Sequence, residues 1–169
     1  MKKGHILLVF VLFLINVNYA QTDQEESLRE IASTLRNDNT GKTEIKKLRP
    51  TQEDLEAIFI KPESVKLVSD YLEKMFATID EDRGVDPGTH RSETIVFKIK
   101  SNYLKVGVPH QLPGGYNWIK DEFKDFITIY GLKFVEPGKT SGYSLNAFFF
   151  VNNHWVCIPK VYRAFPRED

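Results

Sequence analysis

The closing hairpin constrains this chain most. Tyr143 to Val151 is an extended apolar run, Asn152-Asn153 makes a two-residue turn, and His154 to Ile158 runs back. Asn tolerates the left-handed backbone that such a turn requires. Pro159 then ends the pairing, having no N–H to give to the ladder. A period of two puts Leu145, Ala147, Phe149, Val151, Val156 and Ile158 on one face and Asn146, Phe148, Phe150, Trp155 and Cys157 on the other. Both faces are apolar, so the fold must cover the hairpin twice or leave a large apolar surface for a partner.

The coverings are sought upstream. Pro62 suits a helix start, and Val65, Val68, Leu72, Met75, Phe76 and Ile79 keep a 3.6-residue period over about four turns. Thr51 with Asp54 forms a capping-box-like start for a shorter helix with Leu55, Ile58 and Phe59 on one edge. Farther back, Leu28, Ile31, Ala32 and Leu35 fall at i, i+3, i+4 and i+7, an apolar stripe ended by Asn37, Asp38, Asn39 and Gly41. That stripe is narrow, so the segment is either a weakly docked helix or a mobile spacer. Between the helices and the hairpin, Ile95, Phe97 and Ile99 alternate with Val96, Lys98 and Lys100 as one strand, and Phe123 to Val135 is expected as a second, long one. Helices first and an antiparallel meander afterwards define an α+β class, with N-terminal helices packed on a bent antiparallel sheet. Phe76 and Trp155 are expected in its core.

Lys2 and Lys3, the apolar run Ile6 to Ile15 and Ala20 before Gln21 follow the order of a secretory signal. The run is shorter than the ~20 residues of a transmembrane helix, so no stable membrane span is expected after cleavage. The expected organisation is a signal peptide at 1–20, a helical or mobile segment at 21–48 and one α+β domain at 49–169. Losing Lys2 and Lys3 leaves 21 basic residues against 23 acidic ones, which argues against a nucleic-acid partner. Cys157 is the sole cysteine, so no internal disulfide forms, and beside Trp155 it suits a small buried hydrophobe. There is no Asn-x-Ser/Thr acceptor. The expected location is exported, periplasmic or secreted, in a bacterium.

This order of elements over residues 51–165 resembles the cone-shaped rolls of the nuclear-transport-factor-two-like and cystatin-like superfolds. The stretch from Phe150 through Asn152-Asn153-His154-Trp155 to Pro159-Lys160, Tyr162-Arg163 and Phe165 is similar to the ends of small uncharacterised exported bacterial proteins. The resemblance implies a bent sheet wrapped by helices. Enzymes on such rolls use an acid-base residue and an oxyanion donor inside the cone, but their catalytic positions have no residue-by-residue match here.

Motifs for other chemistries fail on inspection. Gly138-Lys139-Thr140 lacks the earlier Gly and the following helix of a phosphate loop. Asp80, Asp82, Gly84 and Asp86 resemble a calcium loop with Gly one place early and Arg91 where the bidentate acid belongs. His90, His110 and His154 have no metal-ligand spacing, and His154 and Cys157 point to opposite faces of one strand. No metal or cofactor is therefore expected. Lys160, Arg163 and Arg167 could grip an acidic partner, but as solubilising charges around Tyr162 and Phe165 they suit a tail packed on the sheet.

The favoured reading is an exported, non-catalytic binding or accessory module. Its apolar pocket or sheet face, around Asn146, Phe148, Phe150 and Trp155, would take a small apolar ligand, a protein partner or a second copy as a homodimer. The alternative is a small cofactor-free lyase or isomerase, needing one buried acid or base and one donor, for which Asp125, Tyr130, Tyr143 and His154 are the candidates. An enzyme would bring these into one enclosed cavity.

Overall fold

The computed structural model of the chain describes residues 23–36, 41–80 and 85–166. The signal-like stretch 1–20, the expected helix stop at 37–39, Asp82 and Gly84 of the calcium-like run, and Arg167 lie outside the described residues. The architecture is α+β: helices pack on a bent antiparallel sheet.

The long helix forms as its periodicity requires. Helix α4, Pro62–Asp80, starts on its proline and buries Val65, Val68, Leu72 and Phe76. Before it, α3 (Gln52–Ile58) carries the expected capping box. Thr51 Oγ1 accepts from the Asp54 N–H at 3.2 Å, and Asp54 Oδ2 accepts from the Thr51 N–H at 2.9 Å. The segment before Pro50 is helical twice over. Residues 23–35 form α1, and Gly41–Lys47 form α2. Gly41, expected to stop a helix, instead opens one. A Cβ there would lie 2.6 Å from the Leu35 carbonyl oxygen, so only glycine lets the two helices approach this closely.

Strands β1 (Glu93–Lys100), β2 (Thr128–Val135), β3 (Gly142–Val151) and β4 (His154–Cys157) form an antiparallel meander in the order β1-β2-β3-β4. The closing hairpin has the anticipated register, with Val151 facing His154, Phe150 facing Trp155 and Phe148 facing Cys157. Asn152 and Asn153 both take positive φ, 48° and 65°.

In the sheet, two further expectations are corrected. The strand drawn from Phe123 starts only at Thr128. Phe123 forms a lone bridge to Phe59, clamped by Ile60 N–H to Glu122 O and Lys124 N–H to Ile58 O, each 2.9 Å. Phe126 then turns the chain at φ 63° and stands exposed, not on a strand face with Tyr130. The freed stretch packs on a short helix that the periodicity did not show, α5 (Ser101–Lys105), through Ser101 N–H to Ile127 O at 2.8 Å.

The second correction is a bulge at Ala147, φ 67°. Tyr130 faces Phe148 while its neighbour Gly131 faces Asn146. Adjacent residues of a strand point to opposite faces and opposed partners share one, so Asn146 and Phe148 lie on opposite faces. The extra residue breaks the period-two alternation and bends the strand.

Each face has its own cover. On one, Leu28, Ala32 and Leu35 of α1 are fully buried, Trp155 Nε1–H donates to Ser27 Oγ at 2.7 Å, and Tyr130 OH donates to Gln24 Oε1 at 2.9 Å. Arg36 adds hydrogen bonds to the Thr94 hydroxyl and, at 2.7 Å, to the Ser92 carbonyl. Across the sheet, Phe149 meets Phe123, which stacks on Phe59 at the end of α3. The tail closes the fold: Val161 is buried, and Tyr162 and Phe165 pack against the core.

Candidate functional site

The chain bends sharply between α3 and α4, because Phe59 leaves the helix in an extended conformation to bridge Phe123 and Pro62 restarts it. Residues of both helices and of the connection between them line an open cleft of about 430 Å³. Phe59, Ile60 and Val65 supply its apolar wall, and Lys61, Lys66 and Lys124 stand around it with Glu56 and Asp70. Two of the lysines are already neutralised. Lys66 pairs with Asp70 at 2.7 Å, and Lys61 pairs with Glu122 at 3.0 Å. Glu122 also accepts from Ser64 Oγ at 2.5 Å. Desolvation alone would raise its pKa, but the Ser64 and Lys61 hydrogen bonds and the lysine charge outweigh it and hold the carboxyl below its ordinary value. Lys124 makes no ion pair among the described residues. A second open cleft, of about 440 Å³, is lined by Lys46, Arg49, Glu73 and Phe76, with the Arg49 guanidinium 5.4 Å over the Phe76 ring.

The most heavily bonded ionisable group is Asp54. It is fully buried, and every partner it has is a donor: the Thr51 N–H and hydroxyl, the Asn152 amide at 2.8 Å and His154 Nε2 at 3.1 Å. Burial pushes its pKa up, but the hydrogen bonds from Thr51 and Asn152 and the charge of His154 prevail and leave it lowered. One carboxylate thus caps α3 and pins the β3–β4 turn to it. The second ring nitrogen of His154, Nδ1, faces the Asn152 carbonyl at 3.2 Å. With both nitrogens turned to protein oxygens, the imidazole presents neither to a substrate as a general base.

The four acid-base candidates do not meet. Asp125 is exposed and paired with Lys105 at 2.6 Å. Tyr130 is buried under α1, where burial, helped by the Glu25 charge, pushes its hydroxyl up to about 12. Tyr143 is half-buried on β3 with a pKa raised by burial first, then by Asp86 and Cys157. His154 is at the hairpin end on Asp54. None of them lines either cleft.

The four binding candidates are also divided. Phe148 is fully buried, Trp155 is 8% exposed and bonded to Ser27, and Phe150 packs edge-on to Trp155 at 5.4 Å. Asn146, on the other face, accepts from the buried Tyr116 hydroxyl at 2.7 Å. The sheet face offered for docking is therefore occupied by α1. Cys157 is buried, and burial raises its thiol pKa. Among the described residues no three His, Cys, Asp or Glu side chains come together to hold a metal ion, and no helix is long and apolar enough to cross a membrane.

Sequence reasoning found Asp54 as a cap but not as the hub of four donors, because Asn152 and His154 are about a hundred residues away in the chain. The cleft left no sequence signal beyond Pro62, since its walls combine two helices with Lys124, which is far away in the chain. Neither a protein-family model, nor a curated protein, nor a solved structure matches the chain.

Proposed function

We propose that this is an exported, non-catalytic binding module of the cone-like roll type, and that its binding surface is the cleft between α3 and α4. The observation that carries the reading is the cleft itself: an open volume of about 430 Å³ with an apolar wall and an ammonium at its rim. Ile60 is 49% exposed there and gives the cleft an accessible apolar contact. Lys124 suits an anionic or strongly polar end on an otherwise apolar ligand. The isomerase alternative draws no support from the positions of its candidates, each of which is engaged by its own protein neighbours away from the cleft.

An apolar dye bearing a sulfonate, anilinonaphthalene sulfonate, tests the cleft. The native protein is expected to bind it saturably, one dye per chain. Ile60→Asp, a substitution at a half-exposed position, should weaken binding about tenfold, the order expected for losing the burial of one aliphatic side chain. Absence of saturable binding, or equal binding by the variant with an unchanged melt, refutes the reading.

A further inference from the structure

The ionisable groups around the α3–α4 cleft sort by partner. Lys66 and Asp70 neutralise each other at 2.7 Å, and Glu122 neutralises Lys61 at 3.0 Å. Two charges of opposite sign are left over. Among the described residues the Lys124 ammonium makes no ion pair, and the Glu56 carboxylate has an amide as its partner, Gln52 Nε2–H at 2.9 Å. Both groups line the cleft together with Phe59, Ile60, Pro62 and Val65. They also start from adjoining stretches of backbone. The Lys124 N–H donates at 2.9 Å to the carbonyl of Ile58, the last residue of α3, and Glu56 is in the last turn of that helix.

We propose that this cleft takes a zwitterion, an α-amino acid with an apolar side chain, an inference that rests on the cleft being the binding surface. The carboxylate of the ligand would pair with the Lys124 ammonium and its own ammonium with the Glu56 carboxylate. Its side chain would lie against Ile60 and Val65.

Charge complementarity selects this occupant. A phosphate or other polyanion would bring its charge up to the Glu56 and Asp70 carboxylates, which repel it. A cationic ligand would meet Lys61, Lys66 and Lys124 in the same way. An anionic amphiphile uses Lys124 and leaves the Glu56 charge unmatched, and a neutral apolar molecule uses neither. An α-amino acid carries both signs on one carbon, which suits two side chains that start from adjoining stretches of backbone. Its apolar side chain then supplies area to the wall. A volume of about 430 Å³ lies in the range of small-molecule sites, roughly 300–1,000 Å³.

The full chain is titrated with L-leucine, N-acetyl-leucine and leucinamide, followed by amide chemical shifts. The acetyl group removes the ammonium of the ligand, and the amide removes its carboxylate. The native protein is expected to bind leucine about tenfold tighter than either analogue, since each loses one charge-assisted contact. Glu56→Gln should erase the preference over N-acetyl-leucine and keep the preference over leucinamide. Lys124→Gln should do the reverse. Both side chains are exposed, so neither substitution should move the melting temperature. A damaged fold would weaken both preferences together, whereas the expected losses are separate. Leucine should also displace anilinonaphthalene sulfonate. No leucine binding, equal binding of the three ligands, unchanged preferences in both variants, or leucine binding that leaves the dye in place overturns the proposal. Dye binding that Ile60→Asp weakens, with no leucine binding, removes the amino acid and keeps the cleft. Absence of both removes both.

Discussion

Replacing Asp54 tests whether one carboxylate holds the helical layer to the hairpin. Alanine there removes the α3 cap, a loss of about 1 kcal/mol. It also strips the acceptor from the Asn152 amide and from His154, hydrogen bonds to a charged group that are each worth about 1.5–3 kcal/mol. Both partners are near solvent and recover water, which trims the sum, so about 3 kcal/mol is expected for Asp54→Ala. In a domain of this size that lowers the melting temperature by about 6–12 °C. Asp54→Asn should cost much less. Its amide oxygen can still accept from Thr51 and His154, and Asn152 needs only to turn its own amide over to present oxygen instead of nitrogen.

The pH dependence follows from the lowered pKa of Asp54. A carboxyl depressed on folding contributes stability that is present above its unfolded pKa of about 3.9. That contribution is lost as pH falls through the lower folded value. The gap between wild type and Asp54→Ala should therefore be flat from neutrality down to about pH 5 and narrow only below about pH 4. Urea melts across this range measure it. A loss under about 1 kcal/mol for Asp54→Ala, or equal losses for Ala and Asn, would refute the account of Asp54 as an acceptor hub.

Leu28→Ala removes a fully buried side chain of α1 and should cost about 2–5 kcal/mol, with amide exchange in residues 23–35 of the wild type slowed in common with the sheet; a change near zero would mean that α1 does not cover the β-sheet. Cys157, fully buried with a raised thiol pKa, should be inert to a disulfide-exchange reagent in the native protein and react fully in denaturant. Fast reaction without denaturant contradicts the closed core around β4.

Where information is local, it was legible in the chain. The Thr51–Asp54 cap and the Asn152-Asn153 turn each span only a few residues, and the α4 stripe repeats at steps of three and four residues, so period and residue type determine the geometry. The two-faced hairpin likewise implied two covers, the second from the helix at 24–36, a partner chain or both, without deciding between them. That answer required the tertiary structure: α1, too short to be stable alone, is held because Trp155, Tyr130 and Arg36 bond across the layer to it or from it. The Ala147 bulge was hidden because apolar residues fill both faces of β3, so the pattern carries no mark of the slip that separates Asn146 from Phe148. The same holds for the cleft and for the exposed turn at Phe126. A ring on a turn and a ring in a strand have the same letter, and only the lone Phe59–Phe123 bridge, which stops β2 from starting earlier, puts Phe126 in water.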